Sequence, residues 1–310
     1  INANEIKHSL HTIGEGTYSN IVPGQYRNKA IVIKDYKLDV IKKNNLPVIL
    51  ELTTLALLTA SPKCQQLATF LGVCYFNDWP SLIIERSDVS LDKYWRKHSI
   101  NSFDTCRTII QDICYAVDFL HSRKILHCDI KPENILIETK EDQLHAKLSD
   151  FGSSHTIPDN YPALLNLART LSEYTSPMYC AYEFISNSDL KKLIGNKNSK
   201  YYDHNYHRAY SVYNENINPS EYKQWLLGEP NAFVNQEDKA FKDRVIALKK
   251  QDIFSLGMFC NYLMLHANIF KQAPDHTAKI FITNLLSCAE KRYSETKKII
   301  QDWDHMLKPK

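Results

Sequence analysis

Two short strings set the terms for this 310-residue chain. His127-Cys128-Asp129-Ile130-Lys131-Pro132-Glu133-Asn134 gathers a histidine, two acids, a lysine and an amide. Ser149-Asp150-Phe151-Gly152 begins fifteen residues after Asn134. Alone, the first string reads as a surface turn; with the second at this distance and in this order, accident is a poor account of both. The hydrophobic pattern changes character on the way to them. Residues 1–35 read as strand, turn, strand, strand, with His11-Thr12-Ile13, Ser19 to Val22 and Lys29 to Lys34 as strands and Gly14-Glu15-Gly16 at the turn. Leu46 to Thr59 is apolar at three- and four-residue spacing with Pro47 near its start, which predicts a helix. Two more strands are predicted near Ala68 to Tyr75 and Ser81 to Glu85.

Beyond Ser87 the pattern turns helical. Phe103 to Ser122 is long and amphipathic, with Ile109, Ile110, Ile113, Ala116, Val117 and Leu120 on one face. Short strands are predicted at Ile135 to Glu138 and Ala146 to Leu148, then helices at Ile253 to His266, His276 to Leu286 and Thr296 to Met306. A β-rich front and an α-rich back predict an α+β chain of two lobes with a cleft between them.

Composition excludes several classes. The chain is long enough to bury a substantial core, and its 44% hydrophobic and 24% charged residues are ordinary for a soluble globular protein. A net charge of +3 is too mild to require nucleic acid or a membrane surface as partner. Eight cysteines without a C-x-x-C pair indicate neither a zinc knuckle nor a disulfide framework, so a reducing, cytoplasmic compartment is expected. The best apolar run, Leu46 to Ala60, is short and broken by Glu51, so no membrane span is expected. No signal peptide is read at the start, and Ile1 in place of methionine suggests an excised domain or a trimmed chain.

The two strings resemble the catalytic loop and the Asp-Phe-Gly metal motif of the eukaryotic-like serine/threonine protein kinase family, of which this chain would be a diverged member. The resemblance implies a bilobal kinase fold with a β-rich N-lobe over residues 1–86 and a larger α-helical C-lobe over residues 87–310. It also implies transfer of the γ-phosphate of ATP to Ser/Thr hydroxyls of proteins, with Mg2+ or else Mn2+. The transition state spreads negative charge over the phosphoryl oxygens, so such a site supplies cations and positions groups. Asp150 and Asn134 then match the metal ligands, oxygen donors suited to a hard cation. Asp129 matches the residue that orients the substrate hydroxyl or accepts its proton, and Lys131 the lysine that neutralises the transferred phosphate in Ser/Thr enzymes.

Gly14-Glu15-Gly16-Thr17-Tyr18-Ser19-Asn20-Ile21 resembles the glycine-rich loop, whose missing side chains let backbone N–H groups approach phosphates; Ser19 stands in the third glycine's place. By itself this string reads equally well as a β-turn. Lys34, which alone would read as an exposed strand-end lysine, resembles the lysine on the α- and β-phosphates. It requires a glutamate on the following helix, and Glu51 is the sole acid between Val40 and Lys63, so a Lys34–Glu51 pair is expected. Leu55, Phe70, His127 and Phe151 resemble the hydrophobic stack of the active state. Ile84 matches the residue behind the adenine pocket and Glu85 and Ser87 the hinge; Gly14, Gly16, Ser19, Ile21, Val32 and Leu136 complete the nucleotide set. Further on, Ser176 matches the residue bridging Asp129 and Lys131, Asp252 the aspartate opening the central helix, and Arg292 the partner of Glu183.

Two departures qualify the resemblance. Cys128 stands where regulated members carry an arginine that pairs with an activation-loop phosphate, so activity independent of that phosphate is expected, although Thr170, Ser172 and Thr175 remain modifiable. Glu183 and Asp252 are 69 positions apart, which makes residues 184–250 an insertion. Its six tyrosines and Trp225 argue against disorder. Helices are expected at Leu190 to Ile194 and Ala240 to Lys250, and the insertion is expected to dock a protein substrate or partner, a structural cap being the other reading. His204 and His207 read as a solvated pair, and Asn268 to Asp275 as an abbreviated stretch. The alternative function is a pseudokinase-like scaffold whose insertion binds a partner; Lys34, Asp129, Asn134 and Asp150 together argue against it. The scarcity of Gly and abundance of Asn, Lys, Ile and Tyr fit an AT-rich genome, and a diverged kinase with a private insertion in such a genome fits a pathogen effector, which would act in the host cytosol, or a viral or protist enzyme.

Overall fold

The computed structural model describes residues 1–9, 11–60, 62–76, 79–100, 102–181, 184–185, 187–194, 238–267, 284, 286 and 296–306. Its front half is a curled antiparallel sheet built from β1 (Ile6–His8), β2 (Gly14–Glu15), β3 (Ser19–Tyr26), β4 (Lys29–Tyr36), β5 (Phe70–Phe76) and β6 (Trp79–Glu85). The order is β1-β3-β4-β6-β5, with β2 paired to the start of β3. Arg27 and Asn28 close the β3–β4 hairpin, both at positive φ, the two-residue geometry that matches strand twist.

Strand alternation decides what each residue of β4 can do. Ile31 and Ile33 enter an outer cluster with Ile6, Cys74 and Ile83. Val32, Lys34 and Tyr36 therefore turn to the other face, where Tyr36 joins the main core with Leu82 of β6. Against that face lie α1 (Leu38–Ile41) and α2 (Leu46–Thr59). Pro47 sits in the first turn of α2, where its missing N–H costs nothing, and Val48, Glu51, Thr54 and Leu55 are buried. The first strand corrects the expectation at His11 to Ile13. Ile6 is buried and pairs with Tyr26, whereas Ile13 is 45% exposed and gives its N–H to the Ile21 carbonyl just ahead of β2.

The back half begins with β7 (Val89–Ser90), α3 (Leu91–Lys97) and α4 (Phe103–Ser122), the last capped by Ser102 accepting from the Thr105 N–H. Then come β8 (Ile125–Leu126), β9 (Ile135–Lys140), β10 (Gln143–Leu148), β11 (His155–Thr156), α5 (Tyr161–Tyr174), α6 (Asn187–Ile194), α7 (Lys239–His266) and α8 (Thr296–Met306). The α4 face named from sequence is buried against Leu256, Phe259 and Leu263 of α7 and Ile299 and Trp303 of α8. The stretches 240–250 and 253–266, expected as separate helices, form one 28-residue helix. The expected helix at 276–286 falls outside the described residues apart from Asn284 and Leu286. Residues 195–237, 268–275, Tyr182, Glu183 and Arg292 also lie outside them, and with them the Glu183–Arg292 pair. No helix among the described residues is long and apolar enough to cross a membrane.

Candidate active site

Lys34 reaches from β4 into the cleft, 8% exposed. Its Nζ donates to Glu51 Oε1 at 2.8 Å, to Glu51 Oε2 at 2.7 Å and to Asp150 Oδ1 at 2.8 Å. Burial works against the Lys34 charge, but Asp150 and Glu51 outweigh it and hold the ammonium above the usual lysine range. Burial pushes the Glu51 carboxyl up, with Lys34 opposing. Desolvation works against ionisation of Asp150, whose side chain is nonetheless 46% exposed, and the Lys34 charge and hydrogen bond hold its carboxyl down at about 2. Asp150 sits at φ 64, a conformation few non-glycine residues adopt, and Gly152 donates its N–H back to Asp150 Oδ1 at 3.3 Å. A Cβ on Gly152 would stand 3.3 Å from that same oxygen.

The catalytic-loop residues form a second, adjoining network. Asp129 Oδ1 accepts from the Ser176 hydroxyl at 2.7 Å, and its Oδ2 lies 2.7 Å from Lys131 Nζ. Lys131 Nζ also donates to Ser176 Oγ at 2.9 Å, closing a triangle. Asn134 Nδ2 donates to the Asp129 carbonyl and to Asp129 Oδ2, at 2.8 and 3.0 Å. That leaves the Asn134 amide oxygen as its remaining donor to a cation. Behind the loop, Asp252 of α7 accepts from the backbone N–H groups of His127 and Cys128, each at 2.9 Å, and lies 2.9 Å from His121 Nε2. His127 and Phe151 meet edge to face, and Leu55 and Phe151 share the main core, with Phe70 packed against it.

Across β3, β4 and β6 the register pairs Ile21 with Lys34 and Val32 with Ile84, which puts Ile21, Val32 and Ile84 on the face Lys34 shares. The Gly16 N–H donates to the Ser19 carbonyl at 2.8 Å, so Gly14 and Gly16 belong to a tight hairpin whose base carries Ser19, itself buried. Glu85 and Arg86 are tied by backbone bonds to Thr69 and Ala30, and the Ser87 hydroxyl donates to Glu138. Leu136 is half-buried on β9, opposite Ser90.

Residues 7–195, more than half of the chain, match the protein kinase domain. The chain belongs to that family. Among curated relatives it is 29% identical over 181 residues to the carbon catabolite-derepressing protein kinase of Candida tropicalis, an alignment covering 57% of this chain and 27% of that protein. It is 31% identical over 150 residues to cyclin-dependent kinase 1 of Encephalitozoon cuniculi, covering 46% and 48%. It is 32% identical over 177 residues to 3-phosphoinositide-dependent protein kinase 1 of Rattus norvegicus, covering 53% and 29%. The alignments thus span between a quarter and a half of these relatives' lengths. The kinase domain transfers phosphate to proteins, and the family as a whole uses ATP and Mg2+. The oxygens of Asn134 and Asp150 suit Mg2+, which takes one or two protein ligands and fills its shell from phosphate and water. No cluster of three His, Cys, Asp or Glu side chains that could hold a metal occurs among the described residues.

In this kinase the segment after Asp150 is ordered by packing. β11 pairs with β8, and α5 buries Tyr161, Leu164, Leu165, Leu167, Ala168 and Leu171. Cys128 is fully buried in that cluster. Three contributors have no counterpart in the sequence reading. Tyr36 donates its hydroxyl to Glu51 Oε2 at 2.7 Å. Lys37 Nζ holds Glu15 Oε1 and the Gly16 carbonyl, at 2.6 and 2.9 Å. Gln251 accepts from the Ala181 N–H and donates to the Tyr179 carbonyl, fixing the stretch after Ser176. Period-two alternation from Lys34 is the signal that could have found Tyr36; no comparable pattern marks Gln251.

Proposed function

We propose that this chain transfers the γ-phosphate of Mg2+-bound ATP to serine or threonine hydroxyls of protein substrates, and does so without a phosphorylated activation segment. The observation that carries the Ser/Thr reading is the triangle of Asp129, Lys131 and Ser176. Asp129 is set to orient the incoming hydroxyl and take up its proton, with Lys131 beside it as the cation for the transferred phosphoryl oxygens. Lys34 supplies the cation for the other phosphates, and Glu51 fixes its direction. Asn134 and Asp150 would hold the Mg2+, which supplies charge neutralisation on the phosphates. The aromatic residues 201–225 support docking of a protein substrate or partner, and the cysteine spacing supports a reducing, cytoplasmic location.

Independence from phosphorylation is supported by the buried Cys128 and by the apolar face of α5, which do the ordering that an arginine–phosphate pair would otherwise do. The test is phosphate transfer from ATP to a mixed protein substrate, with phosphoamino-acid analysis, for wild type, phosphatase-treated wild type and Asp150→Ala. Phosphoserine or phosphothreonine is expected at equal rates from the first two. The variant should lose on the order of 10²–10³ in kcat, the scale of removing one electrostatic contact to the transition state. Transfer undiminished in Asp150→Ala sinks the enzyme reading, phosphotyrosine sinks the specificity, and loss on phosphatase treatment sinks the independence.

A further inference from the structure

Two residues of β4 reach the same buried carboxylate. Lys34 and Tyr36, two positions apart on one face of the strand, both donate to Glu51. Glu51 is 2% exposed and Tyr36 4% exposed, so neither oxygen of the carboxylate nor the phenol has water as a substitute partner. The Tyr36 ring would pack as well without its hydroxyl, among the buried residues it shares a core with. The hydroxyl is aimed, at 2.7 Å, at the Glu51 oxygen that also takes the shorter of the two Lys34 bonds.

The backbone of Tyr36 makes a second connection. Tyr36 pairs with Ser19, at the base of the Gly14–Ser19 hairpin. The next residue, Lys37, donates its N–H to the Tyr18 carbonyl and its ammonium to the Gly16 carbonyl. The end of β4 and the residue after it thus hold the helix that carries Glu51 and the loop placed to cover phosphates.

We propose that Tyr36 is a positioning residue for nucleotide phosphates: its hydroxyl fixes the Glu51 carboxylate, and through it the Lys34 ammonium, in register with the glycine hairpin. Lys34 is shared between Glu51 and Asp150, both within 2.8 Å, so its place depends on how firmly Glu51 is held. With the phenol present, Glu51 Oε2 has two donors and one orientation. Without it, the carboxylate turns about its terminal bond and Lys34 follows. The inference rests on the kinase reading of this site.

Tyr36→Phe removes the hydroxyl and keeps the ring. The KM for ATP, and the Kd for Mg2+·ATP from intrinsic tryptophan fluorescence, should rise about tenfold, the scale of one hydrogen bond to a charged group. The kcat should hold within about threefold and the KM for protein substrate should not move, a split that general loosening of the fold would not give. The decisive measurement is the double-mutant cycle: in a Glu51→Ala background, where the hydroxyl has no side-chain acceptor at 51, Tyr36→Phe should add nothing to the Kd. An unchanged Kd in Tyr36→Phe, or the same loss with and without Glu51, overturns the inference. A wild type that binds no Mg2+·ATP overturns the kinase reading and this inference together; a wild type that binds while Tyr36→Phe is silent overturns the inference alone.

Discussion

Cys128 sits at φ 67 with no exposed surface, in the cluster that contains Leu126, Ile157, Leu164 and Cys180. Burial pushes its thiol well above the usual range, so it behaves as a small apolar group. Its own N–H and that of His127 are spoken for by Asp252. Restoring the family's arginine here would put a long cation into a filled apolar site with no phosphate to meet it. Cys128→Arg is expected to destabilise the fold by about 3–5 kcal/mol, the cost of an uncompensated buried charge. Thermal denaturation of the variant beside Cys128→Ala checks this; an arginine tolerated as well as alanine would mean that an acceptor reaches the site. The same residue-scale logic separates what the sequence disclosed from what it hid. Glu51 was legible because it is the sole acid in its stretch, and Asp129, Asn134 and Asp150 because two carboxylates and an amide at fixed spacing have few other reasons to occur together. Tyr36 was not, because a tyrosine in a strand is ordinary until the helix that packs on it is in view.

Helix α5 is the element on which the ordering of the activation segment depends. Asn160 caps it by accepting from the Ala163 N–H, Pro162 lies in its first turn, and Leu164, Leu167, Ala168 and Leu171 repeat along its buried face. Truncating its last anchor, Leu171→Ala, should cost about 2–5 kcal/mol if the helix stays docked. If the segment is instead released, activity should fall together with protease resistance at residues 161–175, while the melting temperature of the rest stays near wild type. Limited proteolysis beside calorimetry separates the two outcomes, and neither effect would mean that α5 does not hold the segment. All the signals of this helix are in the sequence; the resemblance to regulated kinases, which leads one to expect a loop with modifiable Thr170 and Ser172, masks them. Elements with one apolar face were legible to the residue, as at Phe103–Ser122 and Thr296–Met306. The continuity of α7 was not, because it presents Leu256 and Phe259 to one core and Phe254 and Met258 to another, and a helix buried on several sides has no stripe to read.

The two lobes share one core, which runs from Tyr36 and Leu55 through α4 to Trp303. They are also stitched by backbone bonds between Gln66, Ala68 and Leu148 and by the Lys34–Asp150 ion pair. Nucleotide bound between them should therefore be felt by the whole molecule. Mg2+·ATP at a hundred times its Kd should stabilise the fold by about 2.7 kcal/mol, seen as a rise in melting temperature that Asp150→Ala largely loses. A melting temperature indifferent to Mg2+·ATP would place nucleotide binding elsewhere. Over the same distances α7 acts as a rigid rod. From Lys239 to Asp252 it rises about 20 Å, and along that length Phe241 and Leu248 lie in the α5 cluster before Asp252 takes hold of the catalytic loop. The two grips are locked in angular phase: one extra residue between Leu248 and Asp252 would swing the aspartate about 100° around the axis, away from the amides it holds. The exposed side chains on this stretch, Lys239, Lys242 and Ile246, are open to exchange, but its length is quantised.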